Sequence, residues 1–396
     1  MPKYSICGIK VEMSLTRNLA NKLHPAVTTL PIALKHLLSD YKNVSHLLGR
    51  VRKYKKCTLA DNSESNKRFF KSLKQYCYFF NFAGADKYLD SYFEKSGPVI
   101  LKKTYNNDIP DDEVILICCV RNDIGRIKKL YQHHKDIGIK YMIFVDNMSD
   151  DGTKEWLLDQ EVDLYQISET YHAGRKAAWV RKIQDIYGYN RWYLIVDSDE
   201  LFTYVGCEKH SINELAKYSK DKGYKRIKSM LLDMYSDHEA YINNCDISEF
   251  DKEYVYFDSD TYYEARDCRG EMVRGGARPR VFNYGKGYDN PLTKYPLIYA
   301  EYEDVWGDHT PVPFAKNFGC PMISVLRHYK FMAGDKEKYK ENAANGNYYG
   351  GSLEYKCYLK KEDDITFYYQ DSKKYDSSES LMEIGFMERI WPEQNT

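Results

Sequence analysis

The sequence lacks several features that would assign it to a functional class at once. None of its apolar runs approaches the ~20 residues that a membrane-spanning helix needs. Neither charge is in excess, because 58 Lys and Arg balance 58 Asp and Glu. That balance excludes a strongly basic nucleic-acid-binding protein and an acidic solvating chain. The ten cysteines include no CxxC pair, so neither a zinc site nor a disulfide framework is expected.

Two further absences bear on location and chemistry. No secretory signal peptide is recognisable at the start, and with the scattered cysteines this predicts a cytoplasmic protein in a reducing compartment. The chain has no GxGxxG or GxxxxGK[ST] motif, which argues against a glycine-rich dinucleotide cradle and against a P-loop. A diphosphate bound by this protein would therefore need another device to neutralise its charge.

The zero net charge conceals a basic N-terminal region, residues 1–108, which we predict to be helical. Residues 1–60 hold eleven Lys or Arg against only Glu12 and Asp40. Apolar residues recur near helical spacing from Ile32 to Val51, and the stretch ends in a basic cluster that consists of Arg50, Arg52, Lys53, Lys55 and Lys56. Two interpretations are open: peripheral contact with an anionic membrane surface, such as the inner face of the cell membrane, or a helical cap with a solvated basic face.

From about residue 109 the pattern changes to alternating strands and helices. Apolar runs predict four parallel strands, at Val114–Val120, Tyr141–Asp146, Asp163–Ser168 and Trp192–Asp197, with helices between them. A further strand is predicted at Arg226–Tyr235. This order predicts an α/β fold whose mostly parallel sheet is flanked by helices. Residues 240–310 read as loop-rich, and a polar helical tail is expected over 333–396.

Carboxylates follow three of these strands. The first strand is followed by Asp123, the second by Asp150 and Asp151, and the fourth by Asp197 and Asp199. Ligands of open parallel sheets bind outside the carboxyl ends of the strands. Two carboxylates that flank one residue of extended chain can share a hard cation, which would neutralise a diphosphate leaving group. The pattern therefore predicts a divalent-cation site; the alternative is solvated acids that cap the strands.

The stretches VRNDIGRIKKLYQHHKDIGIKYMIFVDNMSDDGTKEWL and WVRKIQDIYGYNRWYLIVDSDELFTY resemble glycosyltransferase family 2 and its relatives. MLLDMY, RGGARPRVF, LTKYPLI, GDHT and LRHYKF are similar to later segments of a bacterial subgroup. The resemblance covers roughly residues 112–385 and implies a GT-A fold, Rossmann-like, with its DxD motif at Asp197–Asp199. The implied catalytic domain spans 109–332.

The resemblance also implies roles for individual residues. It places the nucleotide-sugar donor, most simply a UDP-sugar, against Val120, Arg121, Asp146, Arg175, Asp197, Ser198, Arg274 and Lys294. It implies Mn²⁺ or Mg²⁺ held by Asp197, Asp199 and His309, and carboxylates combined with imidazole suit Mn²⁺. His309 is nearly as compatible with an ordinary histidine of a polar loop. The basic residues Lys294, Arg274, Arg278 and Arg280 could contact phosphate or form ion pairs with nearby acids.

An inverting reaction, usual in that family, requires a general base for the acceptor hydroxyl. Asp233 ranks first, because a strand end is positioned by the scaffold. Asp304 and Asp308 are the rivals, the former within the pair Glu303-Asp304.

The leading hypothesis is a metal-dependent glycosyltransferase that acts on a glycan or lipid-linked acceptor in surface polysaccharide synthesis, such as capsule or lipopolysaccharide. The alternatives are a metal-dependent nucleotidyltransferase or phosphohydrolase, and a non-catalytic glycan-binding module on the same fold. No nucleic-acid partner is expected.

Overall fold

The computed structural model describes residues 3–6, 9–12, 30–58, 63–80, 84–106, 109–239, 249–267, 269–282, 291–307, 309–332, 334–360 and 365–392. Its strands are β1 (Lys3–Ile6), β2 (Ile9–Glu12), β3 (Val99–Lys102), β4 (Ile115–Val120), β5 (Tyr141–Asp146), β6 (Asp163–Gln166), β7 (Arg191–Val196), β8 (Glu200–Tyr204), β9 (Arg226–Asp233), β10 (Tyr256–Phe257), β11 (Tyr262–Asp267), β12 (Gly270–Gly275), β13 (Thr293–Ala300), β14 (Ser324–His328) and β15 (Lys373–Lys374).

The helices are α1 (Leu30–Thr58), α2 (Glu64–Phe79), α3 (Ala85–Phe93), α4 (Ile124–Asp136), α5 (Thr153–Asp159), α6 (Ala173–Tyr187), α7 (Ile212–Asp221), α8 (Phe250–Glu253), α9 (Ala277–Phe282), α10 (Asp335–Asn345), α11 (Tyr349–Tyr358) and α12 (Ser378–Glu383). A short 3₁₀ helix occupies Phe314–Asn317. No helix among the described residues combines the length and the apolar character that crossing a membrane requires.

The core of the fold is a nine-stranded sheet in the order β3-β6-β5-β4-β7-β13-β9-β14-β8. The four strands β6, β5, β4 and β7 run parallel, and β9 runs parallel to β14. The predicted α/β fold is thus confirmed. The prediction that residues 240–310 are loop-rich is wrong for part of that segment, because it contains the β11–β12 hairpin and the central strand β13. Strand β13 pairs antiparallel with both β7 and β9.

Alternate side chains of the central strands enter two different hydrophobic cores, as the twofold repeat of a strand requires. On β4, Leu116 and Cys118 join one core together with residues of α4, α5 and α7. Ile115 and Ile117 join the other, which contains α2, α3 and α6 as well as Leu47 and Val51 of α1. The N-terminal helices therefore share a core with the sheet. Within the region 1–108 that we predict to be helical, α2 and α3 are separated near Gly84, whose φ of 95° lies in the left-handed region that glycine tolerates best.

The directions of the strands bring the ends of several of them to the same edge of the sheet. Strands β4, β5, β6, β7, β9 and β14 end at the same edge of the sheet, and β8 and β13 begin there. We call this the strand-end edge. Every loop that leaves it can contribute side chains to a common site.

Candidate active site at the strand-end edge

A tight turn after β7 presents two carboxylates to solvent. It runs through Asp197, Ser198 and Asp199, and the Glu200 N–H closes it by donating to the Asp197 carbonyl over 3.1 Å. The Asp197 and Asp199 side chains are 29% and 27% exposed, whereas that of Glu200 is 1% exposed. The turn therefore separates two accessible acids from one buried acid.

His328 lies directly beside Asp199. Strand β14 is paired on one side with β8 and on the other with β9, so that His328 faces Glu200 and Asp233 in register. Its Nε2 is 3.3 Å from Asp199 Oδ2, and its Nδ1 donates to Asp233 Oδ1 over 2.6 Å. Donor atoms of Asp199, Glu200 and His328 all lie within 4.8 Å of one another. Two carboxylates and an imidazole form a donor set that suits Mn²⁺.

The carboxylates of Asp199 and Asp233 favour protonated His328, whose Nε2 proton lies where a cation would bind. Burial opposes ionisation of His328, but Asp199 and Asp233 outweigh it, and the pKa of the imidazole is raised. Burial also disfavours the Asp199 carboxylate, but His328, followed by Arg126 and Lys330, lowers its pKa well below the usual range. A cation that binds between Asp199 and His328 must displace the Nε2 proton. The Nδ1–H bond to Asp233 would then fix the ring orientation, as a carboxylate behind a metal-bound histidine does.

Two lysines neutralise the acids at the other end of the turn. Asp197 is bonded by Lys176 through Oδ1 and by Lys294 through Oδ2, the latter over 2.9 Å. Lys294 also donates to Glu200 Oε1 over 2.6 Å. Burial raises the pKa of Glu200 to about 7, although Lys294 acts in the opposite direction. Of the two interpretations of Lys294 left open by the sequence, the described contacts show the ion pair.

Asp233 is enclosed by partners. It is 1% exposed, and besides His328 it receives the Arg278 Nε–H on Oδ2 over 2.8 Å. Arg278 continues to Glu354 Oε1 over 2.7 Å, and Lys330 donates to Glu354 Oε2 over 3.2 Å. This chain of charges ties α11 to the strand-end edge. A carboxylate with both oxygens engaged in this way is suited to positioning His328 rather than to taking a proton from a substrate.

A second charged group adjoins the turn through Ser198, whose hydroxyl donates to Asp123 Oδ2. Arg126 bonds to Asp123 over 3.0 Å and also to Asp335 at the start of α10. Burial opposes ionisation of Asp123, but Lys338 and Arg126 prevail and lower its pKa. Two residues of the C-terminal tail, Asp335 and Lys338, therefore take part in the surroundings of the turn.

The ends of β4 and β5 supply the residues predicted to meet the nucleotide. Asp146 is fully buried and accepts the Ser149 N–H over 3.1 Å and the Gln166 side-chain amide over 3.2 Å. Val120 is buried, and its carbonyl accepts the Asn147 N–H over 2.8 Å. Arg121 is exposed beside it. These residues share the strand-end edge with Asp197.

Asp150 and Asp151 have a local structural role. Asp150 exchanges hydrogen bonds of 2.8 and 2.9 Å with Asn122, whose φ of 49° lies in the left-handed region. Asp151 accepts the Ile124 N–H and the Thr153 N–H over 3.1 and 3.0 Å, at the first residues of α4 and α5. One of the three acidic strand ends thus stabilises loops and helix starts.

The remaining predicted basic residues are placed as follows. Arg175 donates to the Thr170 carbonyl over 2.5 Å, in the loop after β6 at the strand-end edge. Arg274 lies on β12, opposite Tyr263 of β11. Arg280 forms two hydrogen bonds of 2.7 and 2.8 Å with the buried Asp258.

Two predicted residues are not members of the donor group that contains Asp199. Asp304 bonds to Arg226 over 3.0 Å and to Lys316 over 2.6 Å, and Arg226 begins β9 at the opposite edge of the sheet from Asp233. His309 has its Nδ1 3.0 Å from the Thr293 carbonyl, next to Lys294, and is not a member of the group with Asp199. Asp308 lies outside the described residues.

Sequence reasoning missed several residues of the site, among them His328, Lys176 and Glu354. His328 stands in LRHYKF at the end of an apolar run, the same signal that drew attention to Asp197. Lys176 begins the helical pattern of α6 and Glu354 lies within a polar tail, so neither carries a local signal.

No protein-family model matches this chain, and no curated protein matches it either. Among solved structures, 4-diphosphocytidyl-2C-methyl-D-erythritol synthase is similar with 11% identity and a TM-score of 0.22, over 33% of this chain and 64% of the synthase. The chain therefore spans less than two thirds of that enzyme's length. A nucleotidyl transferase from Methanothermobacter thermautotroptrophicus is similar with 10% identity and a TM-score of 0.25, over 63% of this chain and 95% of the other. At these scores neither likeness bears on the activity of this chain.

Proposed function

We propose that this protein is a divalent-cation-dependent glycosyltransferase that transfers a sugar from a nucleoside-diphosphate sugar, most simply a UDP-sugar, to a glycan or lipid-linked acceptor. The observation that carries the proposal is the 3.3 Å approach of His328 Nε2 to Asp199 Oδ2 at the strand-end edge. A mixed carboxylate and imidazole set beside a solvent-accessible DxD turn is a suitable place for a cation that neutralises a diphosphate.

Each residue near the turn then has a distinct task. Asp199 and His328, with Glu200 behind them, would hold Mn²⁺ or Mg²⁺, and the bound ion would supply positive charge to offset that of a diphosphate leaving group. Asp233 positions His328. Asp197 would meet the ribose or the ion's water shell, and Arg121 and the main chain at Val120 would meet the nucleotide, as the family resemblance implies. Asp146 is fully buried with both oxygens engaged, so we give it the role of ordering the loop after β5.

In the transfer, the acceptor oxygen forms a bond to the anomeric carbon while the bond from that carbon to the diphosphate oxygen breaks. The hydroxyl proton passes to a general base. Asp233 and Asp304 are both engaged in buried ion pairs, so we assign neither of them that role. A general base for the acceptor hydroxyl would have to be an acid that is accessible at the strand-end edge.

The test is calorimetric titration with Mn²⁺ in the presence and absence of UDP, on the wild type and on Asp199→Asn. Glu155→Gln is the matched control, because Glu155 is an acid on α5 whose side chain is 61% exposed. We expect Asp199→Asn to lose Mn²⁺ binding and Mn²⁺-dependent UDP binding, and Glu155→Gln to retain both. Equal binding by all three proteins would disprove the proposed site.

Product analysis then separates the possible activities. Slow release of UDP from a UDP-sugar, or transfer to an added acceptor, supports glycosyl transfer. Release of pyrophosphate from a nucleoside triphosphate would instead identify a nucleotidyltransferase with the same metal site. Glycan binding that needs neither cation nor nucleotide would identify a binding module.

A further inference from the structure

The apolar face of α1 is occupied within the protein. Leu47 and Val51 are buried in the same core as Phe69 and Leu73 of α2. Among the α1 residues whose side chains are described, the face that could enter a bilayer is thus already used for packing. Any contact of this region with a surface must come from its polar side.

Arg50, which belongs to the basic cluster predicted from the sequence, is paired with carboxylates inside the protein. It bonds to Asp90 over 2.5 Å and to Glu94 over 3.0 Å on α3, and its side chain is 18% exposed. Next to it the Tyr54 ring stacks on Phe93 with centroids 4.3 Å apart. These contacts clamp α1 to α3, and the charge of Arg50 is neutralised inside the molecule.

Other cations of the α1–α2 hairpin remain on its outside. Arg52 and Lys56 are exposed four residues apart on α1, and Arg68, Lys71 and Lys74 are exposed at three-residue intervals on α2. No carboxylate among the described residues lies within ion-pair distance of these five cations; the neighbouring Lys67 approaches Glu64 at 3.6 Å. We call Arg52, Lys56, Arg68, Lys71 and Lys74 the hairpin cations. The hairpin cations therefore form a local excess of positive charge in a chain whose net charge is zero.

We infer that the hairpin cations bind the headgroups of an anionic lipid bilayer by electrostatic attraction alone. Each basic side chain near such a surface strengthens binding about fivefold. A nucleic acid is less favoured as the partner. Single strands bind proteins in part by stacking on aromatic rings, and every Tyr or Phe ring whose exposure is described on α1 and α2 is buried or only partly exposed, although the His46 ring is exposed. The inference does not depend on the proposed activity.

The test is co-sedimentation of the full chain with vesicles of phosphatidylcholine alone, or of phosphatidylcholine with about a third phosphatidylserine, at low and high salt. We expect binding only to the anionic vesicles, and we expect high salt to abolish it because surface charges are then screened. Replacing Arg52, Lys56, Lys71 and Lys74 together by Glu should weaken binding at least about 50-fold. Nucleotide-sugar turnover is not needed as a readout.

The matched control reverses four exposed lysines that flank the other hydrophobic core: Lys128, Lys209, Lys217 and Lys220. This variant has the same net charge as the hairpin variant and should keep most of the vesicle binding. Equal loss in both variants would mean that overall charge, not this surface, drives binding. Binding to neutral vesicles, or binding to single-stranded RNA but not to anionic vesicles, would overturn the inference. Unchanged melting temperatures show that the variants are folded.

Discussion

His328 Nδ1 donates to Asp233 Oδ1 over 2.6 Å, and this bond joins the ends of two parallel strands that pair in register at these two residues. It leaves Nε2 of the ring directed at Asp199. The sheet itself, rather than a loop, therefore positions the histidine of the candidate metal site.

Asp233→Asn should weaken Mn²⁺ binding by about 10- to 100-fold, because loss of a carboxylate behind a metal-bound histidine has effects of that size. The amide fills the same space but no longer balances the charge of Arg278. Calorimetric Mn²⁺ titration and the melting temperature should be measured together. Arg278→Gln is the comparison: if both variants lose the same affinity, the charge network and not the His328 contact is responsible.

His328→Asn should abolish Mn²⁺ binding, whereas His309→Asn should leave it unchanged. Only His328 lies in the donor group with Asp199, since His309 contacts the Thr293 carbonyl at 3.0 Å. Electron paramagnetic resonance of added Mn²⁺ would compare the two variants directly. Loss of binding in His309→Asn with retention in His328→Asn would restore the ligand set that the sequence suggested.

The parallel half of the fold could be predicted, because β4, β5 and β7 are mainly apolar runs and helical patterns lie between its strands. Strand β13 could not, because TKYPLIYA contains Pro296, and proline argues against a central strand. The structure accommodates it at an irregularity in the β13–β9 register between Lys294 and Leu297.

The site was predictable to a similar extent. Asp197 and Asp199 follow an apolar run, so their position at the strand-end edge follows from local sequence. The position of His328 beside Asp199 does not follow from local sequence. His328 ends β14, and β14 lies between β8 and β9 in the sheet although it is far from both of them in the chain. The family resemblance implies His309, in a polar loop, whereas the histidine beside Asp199 is His328, at the end of a strand whose partners the sequence does not reveal.

Lys294→Met should destabilise the protein by about 3 kcal/mol, because it leaves Glu200, which is 1% exposed, without its counter-charge. The double variant Lys294→Met/Glu200→Gln should recover a large part of that loss, since no buried charge then remains unpaired. Urea unfolding of the two single variants and the double variant gives the coupling free energy. Additive losses would show that the 2.6 Å contact between Lys294 and Glu200 contributes little.

Two histidines that contact the edge strand β8 make the stability of the protein depend on pH. Strand β8 has no neighbour beyond it in the nine-stranded sheet, and two histidines of α4 bond to the main chain of Phe202. His133 Nε2 lies 2.7 Å from the Phe202 carbonyl, and His134 Nε2 accepts the Phe202 N–H over 3.4 Å while its Nδ1–H donates to the Leu130 carbonyl over 2.8 Å. A neutral His134 satisfies both contacts, and a second ring proton would face the Phe202 N–H.

Burial lowers the pKa of His134 from 6.5 to about 4, so the unfolded chain takes up this proton at a higher pH than the folded one. The stability that depends on neutral His134 is complete above about pH 7 and is lost as the pH falls from about 6.5 towards 4. Between pH 7.5 and 5.0 we expect the wild type to lose about 2 kcal/mol more than His134→Gln, which cannot titrate there. Urea unfolding at the two pH values measures this difference, and equal losses in both proteins would show that His134 is not the titrating group.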